Sequence, residues 1–367
     1  MRKSLLAVAL LSIFVGKTFA DVPTVDPVRH SGGMAQFPNN KQFAPSSNPI
    51  RLEYKDPSSM TSGDRSVAAQ AEHLINSNAT TAILLIEKGK IIFEKYKEPA
   101  TQSSPLFSQS MSKSLTAMTI GKMLCDGKIA DLDQTADTYT PGLKGMAVGN
   151  ATVRQLLMMS SGAKDAVHAG SSSPTEWIDL RDGKLSIEQL WKDRAQPEMP
   201  PGKEFRYNAI DTFALSEIAD KSGGFFNEFN EIWKDAGTES TGYWLYANDG
   251  RPMSASGVSA TARDWARLAM YSIRQLHSSN QCISKFMKEA TSPQIRNGSK
   301  RIGKAFDHYG YQMWIGSFRM SPSYWWVGYG GQRVGVDPVN ERIIVLTSYR
   351  EDYMGDVYKL FGFWQRN

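Results

Sequence analysis

Two blocks of strand-like sequence lie at opposite ends of the chain, and this arrangement limits the fold more than any other feature. The first block is Thr81 to Ile86 and Ile91 to Tyr96, apolar and β-branched runs joined by Glu87-Lys88-Gly89-Lys90. That pattern predicts a tight hairpin. The second block lies near the C-terminus: Tyr309 to Phe318, Tyr324 to Gly328, Arg333 to Asp337 and Arg342 to Tyr349. The last two runs are separated only by Pro338-Val339-Asn340-Glu341, a turn sequence. Short turns imply antiparallel pairing, because parallel neighbours need long crossovers. From about 128 to 295 the pattern is mainly helical, as in Thr152 to Met159 and Ser259 to Ile273. The simplest fold is α+β: one antiparallel sheet built from both ends of the chain, flanked by helices, with a mainly helical region inserted.

The ends follow from this. Ser66 to Ile75 reads as a helix before the hairpin, and roughly Asp356 to Trp364 as a final helix. Residues 21 to about 65 are rich in Pro, Ser, Gly and Asn and lack periodicity, which predicts an extended arm. Residues 1–20 have a cationic start, an apolar run from Leu5 to Val15 and a small residue at Ala20. This is the pattern of a secretory signal peptide, so the chain is expected to be exported, periplasmic or secreted, without a stable membrane anchor. The domain proper is then 66–367: an α/β part of about 66–125 and 296–367, and a helical part of about 126–295.

Composition narrows the function classes. Three of the cations behind the formal charge of +5, Arg2, Lys3 and Lys17, lie in the leader. No Lys/Arg-rich run marks a nucleic-acid surface. His is scarce and forms no cluster with Cys, so no catalytic metal and no cofactor are expected. Cys125 and Cys282 are the two cysteines of the chain. Their spacing leaves open whether they join or remain buried thiols.

The chemistry centres on Ser110-Met111-Ser112-Lys113 at the start of a helical pattern that Gly127 ends. At positions i and i+3 of a helix, the hydroxyl and the amine share one face. A helix start also offers free backbone N–H groups and favours negative charge. Ser110 is the candidate nucleophile and Lys113 its candidate base. An S-x-x-K motif alone arises about once by chance in a chain of this size, so the surrounding motifs carry the argument.

Those motifs come in a definite order: Cys125-Asp126-Gly127-Lys128, Leu156-Leu157-Met158-Met159-Ser160-Ser161-Gly162, Pro200-Pro201-Gly202 through Tyr207-Asn208, Ser259-Ala260-Thr261-Ala262-Arg263-Asp264-Trp265, and Gly328-Tyr329-Gly330-Gly331-Gln332. From about Ser66 to the C-terminus the chain resembles the serine β-lactamase and penicillin-binding-protein-like superfamily. Within it, the chain resembles the branch of class C β-lactamases, family VIII esterases and 6-aminohexanoate-dimer hydrolases. The resemblance implies a β-lactamase/transpeptidase-like fold and a tyrosine, Tyr207, that shares proton transfer with Ser110 and Lys113. It implies an oxyanion hole from the backbone N–H groups of Ser110 and Gln332, with Tyr329, Gly330 and Gly331 on a strand along the substrate. The branch's Tyr-x-Asn reads here Tyr207-Asn208-Ala209, so Asn208 is the available amide for a substrate contact. His168, in the loop Asp165 to Gly170, is a further candidate contact.

One departure bears on specificity. Tyr329 stands where β-lactamases carry a lysine in their Lys-Thr-Gly motif. A substrate carboxylate thereby loses a charge-assisted partner contributing roughly 1.5–3 kcal/mol. The aromatics Trp314, Tyr324, Trp325 and Trp326 are candidates for an apolar pocket, with half or more expected in the core. The reading is a serine hydrolase of small esters or linear amides. Its rivals are a β-lactamase or D-Ala-D-Ala carboxypeptidase, and a non-catalytic peptidoglycan-binding or scaffold protein.

Overall fold

The computed structural model describes residues 33–164, 173–298, 302 and 305–367. Residues 1–20, expected to be a signal peptide, and His168 lie outside the described residues. In chain order the strands are β1 (Asn40–Phe43), β2 (Glu53–Tyr54), β3 (Thr80–Glu87), β4 (Lys90–Tyr96), β5 (Leu106–Phe107), β6 (Gly242–Leu245), β7 (Val258–Ala260), β8 (Ile295–Arg296), β9 (His308–Tyr309), β10 (Trp314–Ile315), β11 (Tyr324–Gly328), β12 (Gln332–Asp337) and β13 (Arg342–Ser348). The longer helices used below are α1 (Ser62–Ser77), α2 (Ser112–Cys125), α3 (Ile210–Ser222), α4 (Phe225–Asp235), α5 (Ala262–Leu276), α6 (Gln281–Ala290) and α7 (Met354–Arg366).

One nine-stranded sheet joins the two ends of the chain, in the order β2-β4-β3-β13-β12-β11-β10-β9-β8. It is antiparallel except where β2 runs parallel to β4. The longest pairing is β3 with β13, from Glu87 opposite Arg342 to Ala82 opposite Thr347. Ala82, Leu84 and Ile86 belong to one core cluster, while Ile83 and Leu85 belong to the other. Both faces are therefore dry, which is why β3 reads as a continuous apolar run rather than an alternation. Val67, Ala71 and Ile75 of α1 and Val357, Phe361 and Trp364 of α7 cover one face. Trp265, Leu268 and Ala269 of α5 lie in the core on the other.

The inserted region is not wholly helical. A second sheet, β1-β6-β7-β5, runs through it. β5 and β7 are too short to show a period in sequence, so this sheet exists only through tertiary pairing. Its edge strand β1 comes from the N-terminal arm, anchored by the buried Phe43 stacked on Phe226 at 4.6 Å between ring centroids. Tyr309 to Phe318, expected as one strand, is instead two strands that fold back on each other, with Trp314 opposite Tyr309. Gln312 takes φ 56° at the bend, a conformation no strand allows.

Cys125 and Cys282 form a disulfide that joins the end of α2 to the start of α6. The Arg263 guanidinium donates twice to the buried Glu94 carboxylate, at 2.8 and 2.7 Å, tying the start of α5 to β4.

Candidate active site

Three walls meet at Ser110. The first is the turn that carries it. Ser108 is sewn to β7: its N–H donates to the Val258 carbonyl at 2.8 Å, and its hydroxyl accepts from the Val258 N–H at 3.1 Å. Gln109 then takes φ 46°, and one 3-10 turn, Gln109–Met111, leads into α2. A non-glycine residue held at positive φ is strained, and such strain is stored where the surroundings over-determine the backbone. The result leaves Ser110 partly exposed while Met111 and Ser112 are buried. Lys113 lies one turn on, only 3% exposed. Its amine donates to Ser110 Oγ at 3.2 Å and to the Ala255 carbonyl at 2.7 Å. The Ala255 carbonyl, on the loop before β7, is a partner the sequence did not reveal. It holds the amine away from bulk water and beside the hydroxyl.

The second wall carries Tyr207. The loop 198–207 is zipped against the end of the segment Val153–Leu157 and the residues after it. Gly202 N–H donates to the Ser160 carbonyl at 2.7 Å, and Arg206 N–H to the Met159 carbonyl at 2.8 Å. The Tyr207 ring sits 5.3 Å from Trp314 and edge-on to Tyr309 at 6.4 Å. The Lys113 amine is 5.2 Å from its ring centroid. The structure therefore brings Ser110, Lys113 and Tyr207 together. Asn208 does something different. It is 4% exposed; its amide donates to the Arg206 carbonyl at 2.9 Å and its oxygen accepts the Asp211 N–H at 2.8 Å. Its side chain braces the entry to α3. Asp211, fully buried, accepts from the Ser161 hydroxyl at 2.6 Å and extends that brace.

The third wall is the end of β11. A Cβ on Gly328 would lie 2.2 Å from the Ser108 carbonyl oxygen and 3.0 Å from Gln109 Cβ, so only glycine lets the strand approach the nucleophile turn this closely. Tyr329, Gly330 and Gly331, expected on a strand, form the turn between β11 and β12. Gly330 and Gly331 take φ 76° and 93°, left-handed backbone that glycine adopts without strain. Within this turn Tyr329 is 39% exposed. Burial, reinforced by the Glu351 carboxylate, raises its phenol pKa, so Tyr329 is neutral at ordinary pH. Gln332 is fully buried and paired with Gly328 in the ladder. Its amide donates to the Tyr329 carbonyl at 3.1 Å and to the Ser348 carbonyl at 2.5 Å.

The aromatics divide as strand alternation demands. Tyr324 and Trp326 are buried in one core cluster and Trp325 in the other. Trp325 packs on Phe361 at 4.8 Å under α7, and Gly335 opposite it leaves room for the indole. Of the four, Trp314 alone has a ring contact with Tyr207. Sequence also missed Gln312, buried at the joint of the walls. Its side-chain oxygen accepts from Thr212 of α3 at 2.8 Å, its carbonyl accepts from Ser114 of α2 at 2.6 Å, and its amide donates to the Leu156 carbonyl at 2.9 Å. Among the described residues one acidic cluster, Asp126, Glu228 and Glu231, has metal-like spacing. Lys122 sits within it, 2.5 Å from Asp126 and 2.7 Å from Glu231.

A serine and a buried lysine at one helix start, faced by a tyrosine and a strand end, define a serine hydrolase on a β-lactamase-type α+β fold. The chain belongs to the beta-lactamase family, whose profile matches residues 70–361. It is 22% identical, over 299 residues, to a 6-aminohexanoate-dimer hydrolase of Paenarthrobacter ureafaciens, covering 76% of this chain and 74% of the relative. Its fold is similar to that of a candidate 6-aminohexanoate-dimer hydrolase from Bacillus anthracis, with a TM-score of 0.74 and 21% identity over 94% of this chain and 96% of the other. It is also similar in fold to EstCE1, a hydrolase with promiscuous acyltransferase activity, with a TM-score of 0.62 and 16% identity over 82% and 98% of the two chains.

Proposed function

We propose that this protein hydrolyses small esters or linear amides through an acyl-enzyme on Ser110. The observation that carries the reading is the Lys113 amine, buried, 3.2 Å from Ser110 Oγ and 5.2 Å from the centre of the Tyr207 ring. Ser110 Oγ bonds to the carbonyl carbon while its proton passes to the Lys113–Tyr207 pair. The tetrahedral oxyanion is held by backbone N–H groups. The leaving alcohol or amine departs with the proton, and water then releases the acid and restores Ser110. One donor is the N–H of Ser110. We assign the second to Tyr329 in place of Gln332. Tyr329 follows the glycine that presses on Ser108 and is exposed in the turn, whereas Gln332 is buried and laddered.

The substrate class follows from charge. The turn presents a neutral phenol beside the Glu351 carboxylate, whose side chain is 42% exposed. That pair sets no cation opposite a substrate carboxylate. The relative named for a 6-aminohexanoate dimer supports a linear amide. The Cys125–Cys282 disulfide supports work in an oxidising compartment, in keeping with export.

The test is a panel of a p-nitrophenyl ester, a linear ω-amino amide and a chromogenic cephalosporin, with Ser110→Ala as control. Losing a charge-assisted partner corresponds to roughly 10- to 100-fold in kcat/KM, so the ester or amide should lead the cephalosporin by at least that factor. A cephalosporin turned over best would make the protein a β-lactamase. Turnover that survives Ser110→Ala would remove Ser110 from the mechanism.

A further inference from the structure

Arg333 is the most buried cation near the site whose work the mechanism has not used. It is 2% exposed and reaches three acceptors. One guanidinium nitrogen donates to the Gly328 carbonyl at 2.7 Å and to the Gln332 carbonyl at 2.9 Å, and Nε donates to the Tyr358 hydroxyl of α7 at 2.8 Å. The remaining nitrogen is 4.0 Å from the Glu351 carboxylate, which itself accepts the Gly331 N–H at 3.3 Å. Burial lowers the guanidinium pKa, but Tyr358 and Glu351 more than offset that and the group is held above its ordinary value.

The two carbonyls are those at either end of the turn. The Gly328 carbonyl also belongs to the peptide plane that carries the Tyr329 N–H. A trans peptide is planar, so its oxygen and hydrogen point in opposite directions. Pinning the Gly328 oxygen to a buried guanidinium therefore aims the Tyr329 N–H in the opposite direction, from the far edge of that plane. A cation on the oxygen also polarises the peptide and strengthens its N–H as a donor. The next plane is pinned too, because the Gln332 amide donates to the Tyr329 carbonyl.

We infer that Arg333 is a positioning residue that aims and polarises the Gly328–Tyr329 peptide as an oxyanion donor. The inference rests on the acyl-enzyme reading above. One guanidinium nitrogen holds both carbonyls while a second, Nε, holds Tyr358, and the single nitrogen of a lysine cannot occupy both places. Arg333→Lys should keep KM for the ester within about threefold and lower kcat about 10- to 100-fold, somewhat less than deleting an oxyanion donor outright. Affinity for a phenylboronic acid, whose tetrahedral anion occupies the same hole, should fall by a similar factor. Arg333→Met should lose more. Tyr358→Phe removes the Nε acceptor on a distant helix and should lower kcat and boronate affinity together about three- to tenfold; it decides the matter if the Arg333 variants fail to fold. Unchanged kcat and boronate affinity in Arg333→Lys, or in Tyr358→Phe where it decides, would overturn the inference. So would a kcat loss that leaves boronate affinity intact. Wild-type turnover abolished by Ser110→Ala but indifferent to Arg333 sinks this inference alone; turnover indifferent to Ser110 sinks the reading beneath it.

Discussion

In the proposed mechanism the nucleophile wall and the strand wall, which meet at Ser108 and Gln109, work with different atoms. At Ser110 and Lys113 the proposed chemistry lies in side chains, a hydroxyl and an amine 3.2 Å apart where the 3-10 turn Gln109–Met111 runs into α2. At Gly328 and Tyr329 the proposed donor lies in the backbone, whose carbonyls are bonded by the Arg333 and Gln332 side chains. Side-chain chemistry leaves its residue type in the sequence. Backbone chemistry leaves only glycines, which mark the segment without naming the residue that donates.

That difference explains what was legible. Ser110, Lys113 and Tyr207 were readable because their residue types and order match a family pattern, and the structure brings all three together. The third motif was placed in the correct segment and read with the wrong shape. Tyr329 to Gly331 form a turn, and the buried Gln332 braces it rather than facing the cleft. Asn208 looked like a substrate contact because its amide stands next to Tyr207, but that amide is bonded into its own loop. The large sheet was legible from long apolar runs such as β3. The small sheet was not, because strands of two or three residues such as β5 and β7 have no period to detect. The Ala255 carbonyl could not be foreseen either, since any residue supplies a carbonyl.

The comparison breaks first where side chains act. Lys113→Ala should lower kcat about 10³-fold or more, and Tyr207→Phe about 10²- to 10³-fold, with folding preserved by circular dichroism. Activity within tenfold of wild type in Lys113→Ala would leave the nucleophile wall without its base.

The backbone wall predicts an inverted pattern. Gly328→Ala should cost about 100-fold in kcat, because a Cβ placed 2.2 Å from the Ser108 carbonyl must displace the strand or the nucleophile turn. Tyr329→Ala, which keeps the N–H, should hold kcat within about threefold of wild type. If Tyr329→Ala proved the more damaging of the two in steady-state kinetics, the phenol and not the peptide would be the working group.

The smallest effect on turnover belongs to the disulfide. Cys125 lies at the far end of α2 from Ser110. A Cys125→Ser/Cys282→Ser variant should lose about 2–5 kcal/mol of stability in denaturant unfolding, as a long closed loop implies. Its kcat should stay within about twofold, since the small-sheet and loop contacts that hold Ser110 are untouched. A matching collapse of kcat at a temperature where the variant is folded would tie the two ends of α2 together more tightly than the contacts imply.

The most direct test of the central claim is intact-mass spectrometry of the protein mixed with a slowly deacylating ester, followed by peptide mapping. The account predicts a single acyl adduct on the peptide containing Ser110, absent in Ser110→Ala and restored to free enzyme as the acid is released. An adduct on another residue, or one that persists in Ser110→Ala, would contradict it.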